Sequence, residues 1–132
     1  MEVNFKADKI TCETHLEEGY YMIGFSDNGD EPNQYVILQK SIDFDEQDIE
    51  LGLNSYYFEY SDQSNSEYDV CRNVVLEKDK ITFILKEDFL EDITKIVIVF
   101  EEKTIQNPTE FESVFKKIID DDGSVSKVHE LR

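Results

Sequence analysis

Basic side chains are almost missing from the first half of this sequence: between residues 10 and 71 there is one, Lys40, against fifteen acidic side chains. Like charges repel in a compact state, so a distribution this uneven opposes folding and marks a stretch that something else uses. Tryptophan is absent, and cysteine and histidine occur twice each. Cys12 and Cys71 are too few for a disulfide framework and stand in no metal-ligand spacing, so reduced, buried thiols are expected. His15 and His129 lie far from other ligand types along the chain, which leaves them as surface histidines rather than members of a zinc or iron site. No Gly-rich phosphate loop and no Gly-x-Ser-x-Gly elbow occurs. Cys12 and His15 are three residues apart at a predicted strand end, without the helix N-terminus that often activates a thiol. Catalysis has no support, and no cofactor or metal is implied. No stretch approaches the roughly 20 apolar residues that cross a bilayer, and Met1 opens no basic-then-apolar leader, so the expected address is cytoplasmic.

What is present points to a folded binding protein. At 132 residues the chain has a common domain size and is read as one domain over 1–132. A formal charge of −18 and a pI near 4.2 repel nucleic acid and anionic membranes and favour cationic partners. The oligomeric state is not specified by any pattern. Hard oxygen donors recur at Asp27, Asp30 and Glu31, in residues 43–50 and at Asp120, Asp121 and Asp122. None follows the twelve-residue calcium loop, so an acidic calcium-binding or general interaction module is the alternative reading.

Hydrophobic patterning predicts α+β structure. Val3, Phe5 and Ala7, then Ile10 and Cys12, alternate loosely as an opening strand with an irregularity near Asp8. Residues 20–25 and 34–39 flank a turn-rich run ending in Pro32-Asn33, a hairpin with a long loop. Residues 43–54 do not alternate and hold one short helical turn or an ordered loop. Residues 61–66 are small, polar and read as a mobile loop before a strand near 68–77. Val74 and Leu76, then Ile81, Phe83 and Leu85, flank a short turn and form a second hairpin. The β-branched run 96–99 suits a central strand buried on both faces. Asn107 as cap, Pro108 at the first position and Glu110 predict a helix with Phe111, Val114, Phe115, Ile118 and Ile119 on one stripe. Gly123 is placed to end it, and 124–132 reads as a frayed tail. Together these predict one curved antiparallel sheet of about six or seven strands with a single C-terminal amphipathic helix packed on it.

The charge is densest at Asp43-Phe44-Asp45-Glu46-Gln47-Asp48-Ile49-Glu50, followed by Tyr56-Tyr57-Phe58-Glu59-Tyr60. Charge runs are usually solvated rims. Here Phe44 and Ile49 would pin the carboxylates in place, and tyrosines are favoured interface anchors. Fixed carboxylates pair bidentately with arginine and steer a basic partner. Asp43, Asp45, Glu46, Asp48, Glu50, Tyr56, Tyr57 and Glu59 are therefore the candidate partner-binding residues. At this segment the sequence resembles the immunity protein 10 family of bacterial polymorphic toxin systems, over roughly residues 20–86. The resemblance is carried by Tyr35-Val36-Ile37-Leu38-Gln39-Lys40-Ser41, by Phe44-Asp45-Glu46-Gln47-Asp48-Ile49-Glu50-Leu51-Gly52-Leu53, and by Tyr56, Tyr57, Glu59 and Tyr68. It departs from the family at Tyr68-Asp69-Val70-Cys71, where a Tyr-Gly-Gly-like turn is usual. The resemblance implies an α+β fold and a cytoplasmic protein, encoded beside a toxin, that neutralises it by tight binding without catalysis. It supplies no toxin-contact residues. Asp45, Glu46 and Asp48 are equally readable as bracing a turn between strands.

Overall fold

The structure, a computed structural model, describes residues 1–28, 33–43, 46–50, 55–119 and 128–131, with the backbone alone at 48, 49 and 128–131. Its strands are β1 (Glu2–Lys6), β2 (Lys9–His15), β3 (Tyr20–Ser26), β4 (Tyr35–Ser41), β5 (Tyr57–Tyr60), β6 (Asp62–Tyr68), β7 (Cys71–Glu77), β8 (Lys80–Leu85), β9 (Lys95–Val99) and β10 (Val128–Leu131). Helix α1 spans Glu46–Glu50, and helix α2 spans Pro108–Ile119. The α+β class agrees with the sequence reading, but the single antiparallel sheet does not. Among the described residues there are two sheets of five strands, ordered β1-β9-β8-β7-β10 and β2-β3-β4-β5-β6. The second is an antiparallel meander, whereas the first includes the parallel pairs β1/β9 and β10/β7.

Alternation along a strand records which side faces the core, not which sheet the strand joins. The chain changes sheet where the sequence suggests only an irregularity. The Ala7 N–H bonds to Val99 in the first sheet, and the next N–H, Asp8, bonds to Ser26 in the second. The return occurs after β6, where Asp69 donates to Tyr56 while Val70 accepts from Lys86. Asp69 takes φ of 53° there, a left-handed conformation that Asp tolerates better than most residues.

The inner faces of the two sheets meet in a common apolar core. Phe83 of β8 stands edge-on to Phe25 of β3 and to Phe58 of β5, with centroids 6.3 and 5.2 Å apart. Helix α2 begins at Pro108, and its stripe Phe111, Val114, Phe115, Ile118 and Ile119 is buried. The stripe covers the inner face of β2, β3 and β4, where Phe111 meets Phe25 at 6.2 Å. The Asn107 carbonyl accepts the first backbone bonds of the helix, from Glu110 and Phe111, and its side-chain amide donates to the Cys12 carbonyl at 3.3 Å, tying the helix start to β2.

Both predicted hairpins form. β9 is central, as expected, but alternates: Ile96 and Ile98 are buried and Val99 is 42% exposed. The polar run expected as a mobile loop is edge strand β6, whose Ser64 N–H bonds to the Asp62 carboxylate and whose Ser66 hydroxyl bonds to the Gln63 carbonyl. In the expected frayed tail, Val128–Leu131 pairs with Val74–Glu77; residues 120–127 and 132, with the predicted stop at Gly123, lie outside the described residues. Among the described residues no helix is long and apolar enough to cross a membrane.

Phe83→Ala is expected to cost about 3–5 kcal/mol, read from urea unfolding, because Phe83 joins the two sheets. Val99→Ala should stay within about 0.5 kcal/mol.

Candidate partner-binding face

Antiparallel pairing of β4 with β5, with Gln39 opposite Tyr57, places residues 42–56 as one connection at a single end of the second sheet. That connection holds the acidic string. Asp43, Glu46 and Glu50 are exposed, the last two on α1. Asp48 falls within α1, and its side chain, like the whole of Asp45, lies outside what the structure describes. Ser41, the last residue of β4, and Ser55, just before β5, are the roots from which this acidic connection leaves the sheet.

The alternation of β5 divides the tyrosine run. Tyr56, Phe58 and Tyr60 are buried, whereas Tyr57 and Glu59 are half-buried on the outer face. Tyr56 is therefore corrected from a partner-contact candidate to a core residue: it is fully buried, and its hydroxyl accepts the Cys71 N–H at 2.9 Å, pinning β5 to β7. A hydroxyl inside a core must find a partner, and a backbone amide of the facing sheet supplies one.

Register brings Tyr57 and Glu59 into a patch with residues the sequence reading did not select. One cross-strand row runs Met22, Gln39, Tyr57 and Tyr68, and the next runs Gly24, Ile37, Glu59 and Ser66. The Tyr35 and Tyr57 hydroxyls each donate to one oxygen of the Glu59 carboxylate, both at 2.5 Å. Burial, followed by the Glu59 contact, pushes the Tyr35 hydroxyl up to about 12, and the same causes raise Tyr57. Both phenols therefore keep the protons they donate at neutral pH. Tyr68 packs edge-on against Tyr57 at 5.7 Å. Beside them opens a cleft of about 380 Å³, lined in part by Met22, Ile37, Ser41, Ser55, Tyr57, Glu59 and Tyr68. Tyr35 was within reach of sequence reasoning, because alternation on β4 puts it on the side opposite Val36 and Leu38. Met22 and Tyr68 become visible only through register.

Cys12 and His15 face opposite sides of β2. Cys12 is buried on the inner side of β2, while His15, an odd number of residues away, belongs to the opposite side, stacked on Tyr20 and 2.9 Å from Glu13. Burial pushes the Cys12 thiol up to about 11 and the Cys71 thiol up to about 12. No group of three or more His, Cys, Asp or Glu side chains is arranged to hold a metal ion among the described residues. Of the oxygen-rich turns weighed for calcium, residues 29–31, 44–45 and 120–123 lie outside them.

A family model described as immunity protein 10 matches residues 6–106, a span that takes in the whole second sheet and β7, β8 and β9. No curated protein and no solved structure matches the chain.

The raised thiol values set a sign for alkaline stability. A buried thiol that ionises later in the folded chain than the ordinary value of 9.0 contributes stability that is complete below about pH 9 and is lost as pH rises through 11 to 12. Urea midpoints should fall between pH 8 and 10.5. Iodoacetamide should label neither cysteine in the folded protein at pH 8 and both in urea.

Proposed function

The chain belongs to the immunity protein 10 family, and on that premise we propose that it neutralises a cognate bacterial toxin, basic and nuclease-like, by binding it and covering its active site. The observation that supports this reading is the shared location of charge and aromatic surface. The acidic connection leaves the second sheet at Ser41 and Ser55, and Tyr57 and Glu59 lie just inside that end on the outer face. Carboxylates on a short connection raise the local concentration of a cationic partner and accelerate encounter. Half-buried tyrosines then supply contact area at low cost in side-chain entropy.

The toxin would reach this protein in the cytoplasm of the cell it protects, and no catalysis is required. Neutralisation at trace toxin levels needs a Kd of nanomolar or below, about −12 kcal/mol or stronger. A toxin that cleaves nucleic acid must hold phosphates with Arg and Lys, and the carboxylates of the acidic connection compete for the same cations.

Co-expression with the toxin-like gene expected beside this one should restore growth. Association of the purified pair should slow roughly tenfold or more between about 50 and 500 mM salt, and Glu46→Gln with Glu50→Gln should reproduce much of that loss at low salt. An association rate indifferent to salt would falsify electrostatic docking. Asp45→Ala and Glu46→Ala should weaken inhibition with little change in Tm; the reverse outcome assigns the string to bracing the fold.

A further inference from the structure

Resting on the neutralisation reading, we propose that the cleft beside Glu59 seats one arginine side chain of the partner, so that the specific contact lies on the outer face of the sheet rather than on the exposed acidic string. Four observations converge on this. The cleft is concave, of about 380 Å³, and has Glu59 with Tyr57 and Tyr68 in its lining. The Glu59 carboxylate is held by two phenol hydroxyls, one on each oxygen. Two carboxylate oxygens offer about four acceptor positions, so each retains a free position for the paired N–H groups of a guanidinium. Tyr57 and Tyr68, with centroids 5.7 Å apart, present aromatic surface next to that carboxylate, and a planar guanidinium stacks on such rings where an ammonium acts only as a point charge.

The fourth observation is a buried hydroxyl. Ser55 lines the cleft, is 9% exposed, and its Oγ has no hydrogen-bond partner among the described residues. A buried polar atom without a partner is costly, and an N–H donor entering the cleft would satisfy it. Lys40 also borders the cleft. It follows Val36 and Leu38 on the buried side of β4, so its stem is directed away from the side that carries Glu59. The acidic connection rooted at Ser41 and Ser55 supplies the long-range attraction, and the cleft supplies the geometry that tells arginine from lysine.

The test uses the whole chain, uniformly labelled with nitrogen-15, titrated with N-acetyl-argininamide and, separately, with N-acetyl-lysinamide. Saturable shifts are expected at the amides of Ser55, Tyr57, Glu59 and Tyr68, about fivefold weaker for the lysine compound. They should disappear in Glu59→Gln, whose amide oxygen accepts from one of the two tyrosines while its NH2 group donates to the hydroxyl oxygen of the other, so that Tm should change little. Should Glu59→Gln fail to fold, Tyr68→Leu, which removes one aromatic wall, is expected to weaken the arginine response severalfold. Equal responses to the two compounds, shifts centred on Glu46 and Glu50 instead of the cleft, or an arginine response unaltered in the variant would each overturn the proposal. The neutralisation reading fails separately: if toxin co-expression is rescued equally by the unaltered chain and by Glu59→Gln, the cleft is wrong and neutralisation stands. If neither rescues while the arginine shifts persist, the cleft stands as an arginine site and neutralisation is wrong.

Discussion

The contact of Phe83 with Phe25 and Phe58 is the constraint on which the rest of this structure depends. Each sheet has one side that must leave water, and these three rings are where the two sides meet. Once they meet, the sense of every strand in the second sheet is settled. Residues in step with Phe25 and Phe58 go inward, and those out of step, including Tyr35, Tyr57 and Glu59, are turned outward. The face proposed to meet a partner is thus the reverse side of the core. A one-residue slip in β5 would exchange Tyr57 and Glu59 for Phe58 and Tyr60 and lose both at once.

How much of this was legible in the sequence follows from which interactions are local. Helix α2 was readable because its cap, its proline and its apolar stripe all lie within thirteen residues, and the stripe is buried as its spacing requires. The two hairpins were readable for the same reason. The split into two sheets was not, because it rests on Ala7 and Asp8 donating to strands that come about ninety and eighteen residues later in the chain. β6 looks like a loop in the sequence because an edge strand exposed to water needs no apolar alternation, and Asp62 to Ser66 has none. The place of Tyr56 is ambiguous in the sequence because tyrosine suits both a core and an interface. Its destination was decided by an amide of Cys71, fifteen residues on.

Charge completes the picture. Lys6 pairs with Glu101, Lys80 with Glu77, Lys95 with Glu2 and Lys103 with Glu101, all outside the acidic stretch. Such exposed pairs contribute little to stability, typically about 0.2–1 kcal/mol. These four pairs involve the first sheet and the residues that follow it, whereas Lys9, Lys40 and Lys117 lie on or against the second, where Asp43, Glu46 and Glu50 are exposed at one end. On the proposed reading, those exposed carboxylates would draw a cationic protein towards that end before any contact forms.

The edge strand β6 borders the row of Tyr57 and Tyr68, yet part of its backbone is already engaged by its own side chains: the Ser64 amide by Asp62 and the Gln63 carbonyl by Ser66. An open edge beside half-buried aromatic rings would ordinarily invite another chain to extend the ladder and begin aggregation. Here the short polar residues occupy those docking points themselves. The tyrosine face can consequently stay solvent-facing without recruiting a further strand, a safeguard against fibrils written into the sheet's own border.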